Sequence, residues 1–191
     1  RARTAREAIR IMGTLLEKYK LGVSPIMYAV VDPNEGWWIE MTLDGQWAAQ
    51  RVPDRGAVVR ANTYRLGVIN FDDPENFMWS DDLVSYAKEK GWYQGGPFNF
   101  TEVYANPGAV TSASNTRRQD RAESLLQNVV PHVKPQDLMT ILRDHYEGTP
   151  YDLTHGYATG SPHKTIERTI CDPGTIFSMV SQSRAWLPAE I

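Results

Sequence analysis

Asp144, His145, Glu147, Asp152 and His155 crowd the stretch RDHYEGTPYDLTHG, residues 143–156. Acids and imidazoles packed this densely suggest a metal centre or a proton-transfer site. The spacing argues against the metal. Zinc-binding helices present two ligands at i and i+4, so that both face one ion. Four residues beyond His145 stands Thr149, on the far side of the helix-breaking Gly148. Asp144 and His145 are adjacent, about 100° apart on a helix, and do not converge on one point. No metal and no cofactor is expected here.

The remaining candidates are single residues. Cys171, the only cysteine, could act as a nucleophile with a histidine as its base. Its setting, RTICD, reads as a strand beside a turn, where a lone cysteine is ordinarily a small buried hydrophobe. Asn62 follows AVVRA and precedes TYRLG, where a strand leaves a sheet. Asparagine is a poor strand residue unless its amide has a specific partner. It is therefore either an oxyanion donor at a strand end or a turn-forming or capping residue. Arg118 and its neighbour Arg117 open a helix after VTSASNT, next to the positive end of the helix dipole. Arginines there either bind an anion or make surface ion pairs. No G-x-S-x-G elbow, P-loop or dinucleotide-binding glycine pattern occurs.

These residues must be positioned by a chain of 191 residues, enough for one ordinary domain, with 41% hydrophobic residues to fill a core. A net charge of −3 and the lack of a basic run argue against a nucleic-acid surface. No apolar run approaches membrane-spanning length, so neither nucleic acid nor membrane is an expected partner. A single cysteine excludes an internal disulfide. A cytoplasmic location is the expectation.

The first element is an amphipathic helix. Thr4 and Glu7 form a capping box, Ala5, Ile9, Met12, Leu16 and Tyr19 recur at helical spacing, and Gly22 ends it. IMYAVVD, GWWIEMTL, QWAAQRVP and GAVVRANTYRLG then read as an antiparallel meander, with Asp44-Gly45 as a tight hairpin. In a loop-rich middle, a helix is expected in SDDLVSYAKEKG, capped by Ser80 and stopped by Gly91. Another is expected over 117–130, with Ala122, Leu125, Leu126 and Val129 on one face. A third runs over 135–146, with Pro135 in its first turn. The end reads as strands, in TIERTICD and TIFSMVSQSRAW. The fold class expected is α+β.

DPNEGWWIEM, QWAAQRVPD, VVRANTYRLG, DDLVSYAKEKGWY, RDHYEGTPYDLT and SMVSQSRAWLPAEI occur in the order seen in a family of bacterial dipeptidases. The chain resembles these cysteine peptidases of the N-terminal-nucleophile hydrolase superfamily, to which the secernins are related. The resemblance covers nearly the whole chain, and HYEGTPYDLT and SQSRAWLP are its most specific motifs.

It implies an αββα sandwich with two antiparallel sheets, and hydrolysis of short peptides, mainly dipeptides. In that family a cysteine at the mature N-terminus attacks the carbonyl, with its own α-amine as base. Residue 1 here is Arg, and Cys171 is internal. The expectation is therefore that residues 1–191 form a single-domain piece from the middle of such an enzyme, without its nucleophile segment and C-terminal part, and inactive alone.

Two site residues carry over by resemblance. Asn62 in VVRANTYR matches an asparagine that donates its amide to the oxyanion. Arg118 in NTRRQDR matches an arginine that points at the nucleophile and favours its thiolate. Arg118 and Arg121 keep an R-x-x-R spacing, with Arg117 as the rival. The acids of HYEGTPYDLT have no role in bond cleavage on this reading. Their loop is structural or lines the substrate pocket. The partners implied are a short peptide substrate and, through sheet edges exposed by truncation, further copies in a homo-oligomer. The alternative function is a non-catalytic binding or assembly module that uses the aromatic-rich sheet.

Overall fold

A computed structural model describes residues 1–152, 167–175 and 178–186 of the chain. The chain divides into two compact units. The first comprises Arg1–Asp54, Tyr64–Asn106 and Ser181–Ile191, and the second Arg55–Thr63 and Pro107–Val180.

The first unit opens with helix α1, Ala5–Tyr19, whose N-cap Thr4 accepts a hydrogen bond from Glu7 N at 3.1 Å. Four strands follow in an antiparallel sheet of order β1-β2-β3-β4: β1 Ile26–Val31, β2 Gly36–Met41, β3 Trp47–Arg51 and β4 Phe77–Trp79. Register places Tyr28 opposite Ile39 and Ile39 opposite Ala49.

Strand alternation sends Trp37, Ile39, Met41, Trp47, Ala49 and Met78 to one face, where they bury Ala5, Ile9 and Leu16 of α1. The other face packs Ala48, Phe77 and Trp79 against Tyr64, Leu66, Leu83, Phe98 and Phe100. The amphipathic reading of α1 thus holds for Ala5, Ile9 and Leu16, while Tyr19 lies 67% exposed. The Asp44-Gly45 hairpin forms, with Gly45 at φ +92° and Thr42 N donating to Gln46 O at 2.8 Å.

The fourth expected strand does not form. GAVVRANTYRLG is irregular along its length, and β4 comes from Phe77–Trp79. The reason is that side chains take the place of a ladder. In the first unit the buried Glu40 carboxylate accepts from Arg65 N at 2.7 Å and Leu66 N at 3.2 Å, and Tyr64 Oη donates to Met41 O at 2.6 Å. With these groups satisfied, residues 64–66 lie across the sheet as a covering layer.

Helix α2, Leu83–Glu89, is capped at Asp82 and not at Ser80. The Ser80 hydroxyl instead donates to Gln46 Oε1 at 2.6 Å. Helix α3, Phe100–Tyr104, completes the unit, with the Asn99 side chain accepting from Glu102 N.

The second unit holds α4, Pro107–Thr111, α5, Ala113–Gln127, and α6, Pro135–Ile141. Ala122, Leu126 and Ile141 form its core, with Val59 and Ile170 against them. Helix α6 stops five residues short of the expected 146. Arg143 N and Asp144 N bond back to Thr140 O and Ile141 O, and Tyr146 takes φ +67°. Of the two terminal segments read as strands, described residues 167–175 and 178–186 contain none.

Two stability effects follow in the first unit. An added Cβ at Gly13 would lie 2.5 Å from Trp47 Cζ2 and Nε1, and that ring is held by a 2.8 Å bond from Nε1 to Glu17 Oε1. Although alanine is the better helix former, Gly13→Ala should lose about 2 kcal/mol, because overpacking outweighs propensity. An unchanged or raised urea midpoint would show that the ring can move aside.

Asp32 accepts from Ala5 N in the first turn of α1 and from Asn34 N and Glu35 N in the β1–β2 turn. Burial pushes this carboxyl up, but the three backbone donors together hold it below the ordinary value. A depressed carboxyl stabilises the fold above its unfolded pKa, and that contribution fades as pH falls through the folded value. Asp32→Ala should therefore cost about 1 kcal/mol at neutral pH and progressively less below about pH 4. A difference that stays constant down to about pH 3 would assign the loss to packing.

Candidate functional site

Helix α5 presents Arg117, Arg118 and Arg121 within its middle turns, and each has a different partner. Arg118 is buried, at 7% exposure. Its Nε donates to Ser114 O at 3.0 Å, Nη1 to Asn62 Oδ1 at 2.8 Å and Nη2 to Asn115 Oδ1 at 2.7 Å. All three acceptors are neutral, and among the described residues Arg118 has no ion-pair partner. Burial, and after it the nearby Arg168 guanidinium, pull Arg118 below the ordinary arginine value. Arginine nonetheless stays charged in proteins, so a positive charge sits here with no ion pair to a described residue.

Arg117 and Arg121 are neutralised. The Arg117 guanidinium lies 3.9 Å from the centroid of the Tyr151 ring and pairs with Glu167. Arg121 grips Asp144 with Nε at 3.0 and 3.1 Å from the two carboxylate oxygens and Nη2 at 2.6 Å. Between Arg117 and Arg118, Arg118 is thus the one that meets Asn62 and has no ion pair among the described residues.

Asn62 is exposed, in the segment Arg55–Thr63 that runs along α5. Because Arg118 is purely a donor, Asn62 must turn its oxygen toward it. The amide nitrogen, with two N–H groups, then faces away and makes no hydrogen bond among the described residues. An amide held by its oxygen and open at its nitrogen can donate to a developing negative charge. The sequence reading treated Asn62 and Arg118 as separate candidates, and the structure brings them into direct contact.

The described part of the acid-rich stretch, residues 143–152, is built around Asp144. Its carboxylate, 6% exposed, receives Arg121 and also Tyr146 N at 2.9 Å, which fixes the turn that leaves α6. Tyr146 Oη donates to Arg168 O at 3.1 Å. His145 is off the helix, with Nδ1 3.3 Å from Glu147 Oε1. Thr149 and Tyr151 join Thr116, Arg117, Arg121 and Tyr146 around a cleft of about 360 Å³. His155 lies outside the described residues.

Cys171 is half-buried and not in a strand. Its N–H donates to Asp144 O at 3.0 Å and its carbonyl accepts from Thr169 Oγ1 at 2.6 Å.

The sequence reading passed over Asn115 and Gln119. Asn115 supports Arg118 and donates its own Nδ2 to Ala109 O at 2.9 Å. Gln119 stands three residues before Ala122 and seven before Leu126, on the apolar stripe of α5. A polar residue on such a stripe signals a buried hydrogen bond, and that was the available clue.

In this α+β chain a buried cation thus holds an exposed side-chain amide by its oxygen. Residues 1–191 match peptidase family C69 throughout, and the chain belongs to that family. Similar curated proteins include a probable dipeptidase of Salmonella dublin, 29% identical, with all of this chain and 47% of the relative covered. A probable dipeptidase of Latilactobacillus sakei is 27% identical, over 98% of this chain and 43% of the relative. Probable dipeptidase B of Lactococcus lactis is 27% identical over 90% and 39%. The chain therefore spans less than half the length of these relatives.

The two carboxylate–arginine pairs should differ in strength. Asp144→Asn leaves Arg121 facing a nearly buried neutral group and should cost about 3 kcal/mol. Glu167→Gln, at a more exposed pair, should cost less than about 1 kcal/mol. Chemical denaturation of both variants checks this, and equal losses would remove Asp144 from its central place.

Proposed function

We propose that the full protein is a cysteine dipeptidase of the N-terminal-nucleophile type, and that this chain is the central part of its single αββα domain. Membership of a peptidase family and the dipeptidase names of its relatives support the reaction class. The four-stranded antiparallel sheet with α1 on one face agrees with half of such a sandwich. A cytoplasmic location is part of the proposal. The substrates are short peptides, dipeptides foremost.

On this reading a cysteine in an upstream segment becomes the mature N-terminus. Its thiolate attacks the scissile carbonyl, and its α-amine takes up the thiol proton and returns one to the leaving amine. Negative charge then moves to the carbonyl oxygen. Asn62 Nδ2 donates to that oxyanion, while Arg118 holds the amide by its other end. The guanidinium also favours the thiolate, as a nearby cation does. Water finally hydrolyses the thioester.

The carrying observation is the 2.8 Å bond from Arg118 Nη1 to Asn62 Oδ1, made by a buried cation that has no ion-pair partner among the described residues. Against a binding module that uses the aromatic sheet stands the covering of both sheet faces within the first unit, with Trp37 and Trp47 buried beneath α1.

The test is dipeptide hydrolysis by the full-length protein and by residues 1–191 alone. Activity should need the longer chain, and Asn62→Ala in it should lose about 100-fold in kcat with KM little changed. Arg118→Lys, which keeps the charge but not the fork, should lose about tenfold and raise the pH at which activity appears. Hydrolysis by the short chain alone would make Cys171 the leading nucleophile. A full-rate Asn62→Ala enzyme would remove the oxyanion role.

A further inference from the structure

Gln119 follows Arg118 on α5 and is fully buried. Its Oε1 accepts from Ala61 N at 2.7 Å, and its Nε2 donates to Val59 O at 3.0 Å. A second Nε2 hydrogen bond goes to Glu123 Oε1 at 2.6 Å. The side-chain amide thus pairs with the backbone of 59–61 as a neighbouring strand's peptide group would, donating to one residue and accepting from the next but one. A flipped amide would set its NH2 against Ala61 N–H and its oxygen against Val59 O, so only one orientation satisfies every group.

We infer that Gln119 is the positioning residue of Asn62: its buried amide fixes the backbone from which the Asn62 side chain is aimed. The inference rests on the oxyanion role proposed for Asn62. Ala61 is one peptide bond from Asn62, so the Gln119 clamp leaves little backbone freedom at that site. Arg118, next on the helix, then holds the Asn62 oxygen. Consecutive residues of α5 therefore fix the same asparagine at both ends, one through its backbone and one through its side chain. A misplacement of about 1 Å costs an oriented reaction about 100-fold, which is what the clamp guards against.

Glu123 completes the arrangement by accepting the remaining N–H of Gln119. Gln119 acts only by way of Asn62, and that dependence sets it apart from a residue that merely stabilises the fold.

A double-mutant cycle in the full-length protein reads it. Gln119→Met, Asn62→Ala and the double variant are compared in kcat and KM on the dipeptide hydrolysed fastest in a panel, with melting temperatures alongside. Gln119→Met should lower kcat by about tenfold with KM little changed, yet lower it less than about twofold when Asn62 is already Ala. Losses that multiply in the double variant would overturn the inference and leave the Asn62 role intact. No loss from Asn62→Ala alone would overturn both. If Gln119→Met does not fold, Gln119→Glu keeps the shape and the acceptor for Ala61 N but loses the donor to Val59 O. The same cycle run with it has the same two outcomes.

Discussion

A buried guanidinium whose described hydrogen-bond partners are all neutral is the constraint on which the second unit depends. Taking an ion out of water is expensive, and Arg118 cannot escape by releasing its proton. It must therefore be surrounded by oriented dipoles, and Ser114 O, Asn62 Oδ1 and Asn115 Oδ1 supply them. Each of these acceptors is itself held. Ser114 O belongs to the first turn of α5, Asn115 is tied by its nitrogen to Ala109 in α4, and the run into Asn62 is clamped by Gln119. One charge thus sets the relation of α4, the start of α5 and the segment 55–63.

The same device appears twice along GAVVRANTYRLG. In one half the backbone of 59–61 is satisfied by Gln119, in the other that of 65–66 by Glu40. A strand whose partners are side chains need not lie in a sheet, and it can bend between them. Asn62 stands in sequence between the two tethered stretches. A ladder residue there would have been locked in pleat and register, with its side chain confined to one face. Side-chain tethers leave the segment free to turn its amide toward α5.

This explains how far the sequence could be read. Periodicity and turn chemistry were enough for α1, for the hairpins through β3, and for α5 and α6 to within a turn or two. These elements are fixed by local pattern and by the burial of one face. Val58 and Val59 looked like strand residues for the same reason. What no local pattern could reveal is that the backbone partner of Val59 is a glutamine sixty residues later. Likewise β4, three residues of Phe-Met-Trp, is too short to carry a period and is defined by pairing with β3. Asn62 and Arg118 were legible singly, from residue type and place. Their contact spans 56 residues and depends on the tertiary fold.

The acid-rich stretch that first draws the eye shows why density of ionisable groups is a poor guide to where chemistry occurs. Asp144 lies near an arginine, so the two neutralise one another and the pair becomes an anchor, fastening the turn after α6 to α5. Arg117 is quenched in the same way by Glu167 and covered by Tyr151. Of the three arginines, Arg118 is the one without an ion-pair partner among the described residues, and the helix residues that touch or flank it in the network are Ser114, Asn115 and Gln119, all uncharged. A cation that must act on a substrate or a thiolate has to keep its field uncancelled. The described hydrogen-bond acceptors of Arg118 are polar and neutral, whereas Arg117 and Arg121 each face a carboxylate.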